Sequence, residues 1–380
     1  MPQFRFNTIS RADIERSQGG NTMIQAIDYE GSDHQLVTGV PGSGKTTVTI
    51  MRAERLINAN KRILIFTYQK LLTISLKNIA TNNLKPKIET FHKWYASTTN
   101  GRWASNDDEN EMRTHLNGLT VFDEILIDEG QDFEEKIFRS LLSKSRRMTV
   151  GADNAQRVHE RGLLVPAIRQ ELEQTKLVVP VPLNYNYRNT FEIYNFARFF
   201  LPDNERVPIP LRLMPRGNGN MPIVIQVLSE IEKLNRLKVI LEDAGDRNIA
   251  ILLYHHDDVD SYFDKVRALG FDCTKHHSQA HAGENIENIL ITTYKSAKGL
   301  EFQVVIMPDM HTAMSSEEKT AEHYYIGCTR AKESLYLTYT GNNLPDYFDE
   351  FEEDSYELRP SENRTQRPTQ QNIIHDDLPF

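Results

Sequence analysis

The eight residues Gly39-Val40-Pro41-Gly42-Ser43-Gly44-Lys45-Thr46 fit the pattern GxxxxGK[ST], directly after the apolar run QLVT and directly before the helix-forming stretch VTIMRAERLINA. Glycines in such a loop let backbone N–H groups wrap a phosphate, and the following helix points its positive end at it. Lys45 then reaches the β- and γ-phosphates, and Thr46 ligates Mg²⁺. A chain that carries this motif must place a strand end, a phosphate loop and a helix start in series. Gly39, Pro41, Gly42, Ser43, Gly44, Lys45, Thr46 and Thr47 are the candidate nucleotide cradle.

The rest of the chain repeats the same alternation. Short apolar, β-branched runs at His34–Thr38, Arg62–Thr67, Glu124–Asp128, Met148–Gly151, Ile249–His255, Ile289–Thr293, Gln303–Met307 and Ser334–Tyr339 are each followed by a polar, helix-like stretch. Runs such as ILIF and ILID lack polar alternation, which suits strands covered on both faces by helices. The expected fold class is therefore α/β with parallel sheets. The runs fall into two groups separated by VVPVPLNYNYRN (178–189) and the Pro/Gly-rich 207–222, giving a first domain over 1–180 and a second over 181–340. Beyond Thr340 the periodicity stops, and 341–380 reads as a disordered acidic tail.

Composition sets limits on the surroundings. Of 380 residues, 39% are apolar and 26% charged, ordinary globular values that exclude wholesale disorder. No apolar run approaches the roughly 18 residues needed to span a bilayer, and the first residues lack the greasy core of a signal peptide. Cys273 and Cys328, without a CxxC, make neither a disulfide framework nor a zinc site. A cytoplasmic protein with no membrane partner is expected. The net charge of −9 is mostly local: residues 341–380 hold ten acids against three bases, leaving −2 on residues 1–340. An acidic total therefore does not exclude a nucleic-acid groove on the body.

Ile125-Leu126-Ile127-Asp128-Glu129 supplies the second half of a hydrolytic site. Asp128 at the strand end can hold the Mg²⁺ shell, and Glu129 can orient and deprotonate the attacking water. Paired with the phosphate loop, this reads as a nucleoside triphosphatase that hydrolyses its nucleotide.

The following segments narrow the reading. DEGQD (Asp128–Asp132), VGADNAQ (Val150–Gln156), Asn186-Tyr187-Arg188, TTYKSAKGLEF (Thr292–Phe302) and YYIGCTRAKESLYL (Tyr324–Leu337) stand in that order after the phosphate loop. Together they resemble the motifs of superfamily 1 helicases of the UvrD/Rep/PcrA type, over nearly all the chain except the tail. The resemblance implies two RecA-like domains with ATP and Mg²⁺ between them. It implies that Gln156 senses the γ-phosphate, that Arg188 and Arg330 reach it from the other domain, that Tyr187 stacks on adenine and that Glu301 contacts the ribose. Gln25 resembles the glutamine that reads the adenine edge. Thr67, Tyr68, Phe91, His92 and Trp94 resemble residues that hold or stack single-stranded nucleic acid, although Phe91 and Trp94 read equally well as core packing. The expected partner is single-stranded DNA, with RNA left open.

The match departs in places. Gln156 is followed by Arg157-Val158-His159-Glu160 where the family carries aromatic platforms, and Asp153 sits one place later than its counterpart. The intervals available for accessory domains, Lys93–Glu124 and Thr190–Leu290, are 32 and 101 residues, so those domains are expected to be reduced or absent. The last five residues, Asp376-Asp377-Leu378-Pro379-Phe380, resemble the C-terminal tip of bacterial single-stranded DNA-binding proteins, which implies a protein partner with a basic-rimmed pocket and a bacterial or phage-infected cell. The bland alternative is a solubilising acidic tail. The leading expectation is an ATP-driven single-strand translocase or helicase, 3′→5′ by resemblance. The rival is an ATP-driven switch that recruits a protein through its tail with little dependence on nucleic acid.

Overall fold

The computed structural model describes residues 2–156, 161–278, 283, 285–311 and 320–362. It contains two parallel sheets, each covered by helices on both faces. After α1 (Arg11–Arg16) and α2 (Gly20–Asp28), the first unit runs β1 (His34–Gly39), α3 (Lys45–Asn58), β2 (Ile63–Thr67), α4 (Lys70–Ile79), β3 (Ile88–Thr90), α5 (Phe91–Thr98) and α6 (Glu109–Leu116). It continues through β4 (Glu124–Ile127), α7 (Glu135–Leu142), β5 (Met148–Ala152), α8 (Val165–Glu173) and β6 (Val178–Leu183). Its strand order is β3-β2-β4-β5-β1-β6, all parallel. The continuous apolar runs behave as expected: β2, β4 and β5 are buried along their whole length.

α9 (Phe191–Arg198) leads to the second unit: β7 (Ile223–Val227), α10 (Glu230–Ala244), β8 (Ile249–Leu253), α11 (His256–Ala268), β9 (Thr274–His276), β10 (Ile289–Thr293) and β11 (Phe302–Met307). It closes with α12 (Thr320–Cys328), β12 (Ala331–Thr340) and β13 (Glu357–Arg359). Its order is β13-β7-β12-β11-β8-β10-β9, again all parallel. This is the α/β, two-domain architecture anticipated from the sequence.

Three boundaries differ. The VPVP run read as linker is β6, an edge strand paired only with β1. Its Pro180 and Pro182 are exposed on the outer side of the sheet, where a missing N–H breaks no ladder bond. Residues 2–6 belong with the second sheet rather than the first, since Phe4 N donates to Ile286 O at 2.8 Å and Asn288 N to Pro2 O at 3.1 Å. Finally, residues 341–362 are folded, which corrects the reading of 341–380 as a disordered tail over that stretch. Phe348 and Phe351 are buried among Phe196, Phe199 and Phe200, β13 extends the sheet, and Ser361 Oγ donates to Glu232 at 2.9 Å. Counting acids there conceals four aromatic residues, Tyr347, Phe348, Phe351 and Tyr356, that bury enough apolar surface to anchor the segment. The candidate tip Asp376–Phe380 lies outside the described residues.

The two candidate insertions hold little. The first carries only α5 and α6 between β3 and β4, and most of the second is α9 through β9 of the second unit itself. Among the described residues no helix is long and apolar enough to cross a membrane.

Candidate nucleotide site and nucleic-acid groove

The phosphate loop joins β1 to α3, and its backbone requires glycine. Gly42 and Gly44 have φ of 74° and 97°, and a Cβ on Gly42 would stand 2.5 Å from Arg188 Cβ. Lys45 is buried at the start of α3, with Nζ donating to Gly39 O at 2.7 Å and Val40 O at 3.0 Å and lying 3.6 Å from Asp153 Oδ2. Thr46 Oγ1 donates to Asp128 Oδ2 at 2.7 Å.

Asp128 and Glu129 follow β4 side by side, both buried. Burial and the neighbouring Glu129 carboxylate raise the Asp128 pKa. Burial also acts to raise that of Glu129, but Lys298, Lys45 and Arg330 outweigh it and hold the Glu129 pKa low, so Glu129 stays ionised. Asp128 Oδ1 and Ser43 Oγ are buried with no hydrogen-bond partner. An orphaned carboxylate oxygen beside the Thr46 hydroxyl is a hard-oxygen set that suits Mg²⁺. Glu129 itself has φ 59° and ψ 49°, a left-handed conformation uncommon for a residue with a side chain. Gln131 anchors it: Nε2 donates to Glu129 Oε2 at 2.6 Å while Oε1 accepts the Asp153 N–H at 3.0 Å.

The second unit reaches into this site. The Asn186–Asn189 turn is set by Asn186 Oδ1, which accepts the N–H groups of Arg188 and Asn189, both at 3.0 Å. Tyr187 N donates to Gly42 O at 2.9 Å, so the turn is fastened to the phosphate loop. Arg330, fully buried at the start of β12, donates from Nη2 to Gln156 Oε1 at 2.6 Å. Burial and nearby Arg188 pull the Arg330 pKa down to about 9, which leaves it charged at neutral pH. Gln156 Nε2 in turn donates to Asp153 Oδ2 at 2.6 Å. Glu301 accepts from Lys332 Nζ at 2.9 Å and from Arg188 Nε at 3.2 Å. Burial alone would raise the Glu301 pKa, but Arg188 and Lys332 hold it at about 2.

Lys45, Thr46, Glu129, Gln156, Tyr187, Arg188, Glu301 and Arg330 thus line one cavity of about 240 Å³ between the units. Gln25 does not. It lies on the exposed face of α2, opposite the buried Met23, Ala26 and Ile27, outside the lining of this cavity. The Tyr187 hydroxyl instead donates to the carbonyl of Gln18.

Two sequence candidates for nucleic acid prove to be interior. Phe91 is 1% exposed, edge-on to Phe66 and packed on Tyr95, and Thr67 is buried with its hydroxyl 2.7 Å from that of Thr73. Neither is placed to meet a base. Trp94 is half-buried against Phe66, and His92 is half-buried and edge-on to Tyr68. Tyr68 alone of the five lines a second cavity, of about 540 Å³, between the carboxyl ends of the two sheets. Lys70 of the same segment lines it together with Lys295, and His255, His256, His276 and His277 of the second unit, to which none of the motifs points, line it as well. The His256 and His277 rings stack at 5.2 Å, and His277 Nε2 lies 3.3 Å from Asp260. These residues follow the ends of β8, β9 and β10, where parallel α/β sheets place their ligands. Residues 157–160, where aromatic platforms were found wanting, lie outside the described residues.

Residues 24–160 match the family model described as an AAA domain, and residues 272–342 match that of the UvrD-like helicase C-terminal domain. These two matches, in this order along the chain, support a UvrD-like helicase of superfamily 1. Among curated proteins, the RecBCD enzyme subunit RecB of Chlamydia pneumoniae is 39% identical over 56 residues, 14% of this chain and 5% of RecB. The chain therefore spans about one twentieth of the length of that relative. Among solved structures, the C-terminal domain of a possible DNA helicase from Lactobacillus plantarum WCFS1 is 20% identical, covering 45% of this chain and 98% of the other, with a TM-score of 0.36. The arterivirus nonstructural protein 10 helicase in complex with DNA is 13% identical, covering 86% and 64%, with a TM-score of 0.41.

Proposed function

We propose that this UvrD-like chain hydrolyses ATP with Mg²⁺ between its two domains and uses the cycle to move along single-stranded DNA in the 3′→5′ direction. The reading is carried by one observation: the phosphate loop of the first unit and Arg188 and Arg330 of the second converge on the same cavity. Lys45 and the loop N–H groups bind the phosphates, and Thr46 and Asp128 hold Mg²⁺, which supplies charge neutralisation when bound. Ionised Glu129 accepts the proton of the attacking water. Arg188 and Arg330 stabilise charge on the transferred phosphoryl group, with Gln156 positioned by Asp153 and Arg330 to sense it. Tyr187 and Glu301 take the base and sugar.

The strand crosses the histidine-lined cavity, with Tyr68 offering a stacking face and Lys70 and Lys295 meeting phosphates. Because both units line that groove, opening and closing around ATP alters the grip on the strand. The 3′→5′ direction rests on the UvrD-like match alone. The motor works in the cytoplasm, and Asp376–Phe380 recruits a protein partner through its acidic residues and terminal Phe.

The test is steady-state ATP hydrolysis by wild type and Glu129→Gln, with and without single-stranded DNA and single-stranded RNA of equal length. Stimulation by DNA, lost in the variant, supports the motor, and stimulation by RNA alone replaces its track. Hydrolysis indifferent to both polymers points instead to a protein-directed switch acting through the tail, a reading favoured by the near-absence of inserted domains among the described residues.

A further inference from the structure

Residues 2–9 cross the nucleotide cavity from one unit to the other. On the second unit, Asn248 brackets Arg5 with its side chain, accepting the Arg5 N–H at 2.9 Å and donating to the Arg5 carbonyl at 2.8 Å. Phe4 meets Phe302 edge-on at 5.5 Å, and Phe4 and Phe6 pack on the core beneath. From Ser10 onward the chain belongs to the first unit. Ser10 caps α1 through a reciprocal bond with Asp13, Ile14 is buried with Met23 and Val37, and Arg11 pairs with Asp28 of α2. Only residues 7–9 separate these anchorages, a reach of at most about 14 Å in full extension. Arg5, Asn7 and Ile9 line the nucleotide cavity as they cross it.

Asn7 makes a specific contact there. Its Nδ2 donates at 2.9 Å to Glu301 Oε1, the oxygen that also accepts from Lys332. With Arg188 on Oε2, the carboxylate is fixed by three donors, two cationic and one neutral. The cations keep Glu301 an acceptor, and Asn7 sets its orientation from the strap.

We propose that residues 2–9 form a strap that limits separation of the two units across the nucleotide cavity, and that Asn7 is a positioning residue that orients Glu301 toward the nucleotide sugar. This rests on the reading of the cavity as an ATP site. The strap couples sugar recognition to the spacing of the units, because the residue that orients Glu301 is tethered to both.

The experiment compares hydrolysis of ATP and 2′-deoxy-ATP by wild type, Asn7→Ala, Asn7→Asp and, as a control, the exposed Thr8→Ala. Wild type should prefer ATP. Asn7→Ala should raise KM for ATP about 3- to 10-fold, the effect of losing one hydrogen bond, with a smaller change in kcat and a reduced preference for ATP over the deoxy form. Asn7→Asp, which sets a second carboxylate beside Glu301, should act in the same direction and more strongly. Thr8→Ala should match wild type. If wild type hydrolyses ATP but Asn7→Ala leaves both KM and the sugar preference unchanged, the strap proposal is overturned alone. Equal use of ATP and 2′-deoxy-ATP by wild type also overturns it. Absence of any wild-type hydrolysis overturns the ATP reading, and the strap proposal with it.

Discussion

Lys298 Nζ, on the segment leading into β11 of the second unit, lies 2.7 Å from Asp132 Oδ2 and 2.9 Å from Oδ1, just beyond Glu129 of the first unit; both side chains are fully buried. The same ammonium donates to Gln156 O at 2.5 Å and stands 3.7 Å from Glu129. One cation therefore ties the second unit to the segment that holds the candidate general base. Removing one partner of a buried pair leaves the other charge unpaired, at a cost of about 3–5 kcal/mol. Lys298→Met should lower the thermal midpoint sharply, and adding Asp132→Asn to it should recover much of the loss. A double-mutant cycle by thermal denaturation checks this, and additive losses would show that the two residues do not act as a pair.

Glu129→Gln keeps the size of the side chain and removes its ability to accept a proton. General-base catalysis contributes roughly 10²–10⁴-fold, so kcat should fall by that range while nucleotide binding persists. Steady-state kinetics alongside fluorescent-nucleotide titration separate the two effects. Loss of binding with little loss of kcat would assign Glu129 to structure rather than chemistry.

How much of this was readable beforehand follows from where the interactions lie. The phosphate loop and the Asp128-Glu129 pair are contiguous, so spacing and neighbouring strands reveal them. Arg188 and Arg330 are apparent only through the motifs around them, because nothing local shows that both face the same cavity. The place of Gln25 outside the cavity lining follows from the pattern of α2, where Met23, Ala26 and Ile27 form the buried face and leave residue 25 outside. Phe91 and Tyr95, four apart on α5, give the same helical signal of an interior position. Lys298 and Asp132 meet across 166 residues, and no local pattern encodes such a pair. The histidines come together because β8 and β9 end at the same level of one sheet, and strand order is a property of the fold that a linear reading does not contain.

His34 gives a pH prediction with a definite sign. It is 1% exposed at the start of β1; Nδ1 accepts the Met148 N–H at 2.8 Å, and Nε2 lies 2.8 Å from Thr175 Oγ1. Burial, reinforced by Lys176, lowers its pKa from 6.5 to about 4, so the fold holds the neutral ring while the unfolded chain takes up a proton first. The contribution is therefore complete above pH 6.5 and is lost as pH falls toward 4, with a slope of at most about 1.4 kcal/mol per pH unit. Urea unfolding between pH 7 and pH 4 should show a steeper loss for wild type than for His34→Gln. Parallel curves would remove His34 from the acid sensitivity.

Arg330 tests the division of labour between the two units. Its guanidinium is fully buried, with Nη2 on Gln156 Oε1 at 2.6 Å and Nε on Ile326 O at 3.0 Å. Nη1 also donates to Leu300 O at 3.4 Å and Nη2 to Thr329 Oγ1 at 3.2 Å, so the planar fork holds the glutamine and its neighbouring oxygens and keeps one Nη1 N–H for a phosphate. Lysine has a single donor centre and cannot serve both directions. Arginine fingers in phosphoryl transfer are worth about 10³–10⁵ in rate, so Arg330→Lys and Arg330→Ala should each lose at least about 10³ in single-turnover hydrolysis. Arg188→Ala should show a loss of the same order, because its guanidinium lines the same cavity. ATP affinity should change far less, since Lys45 and the loop amides stay in place. Thermal midpoints measured on the same preparations separate chemistry from folding. A folded Arg330→Lys that keeps wild-type hydrolysis would move the charge-stabilising role to Arg188 alone.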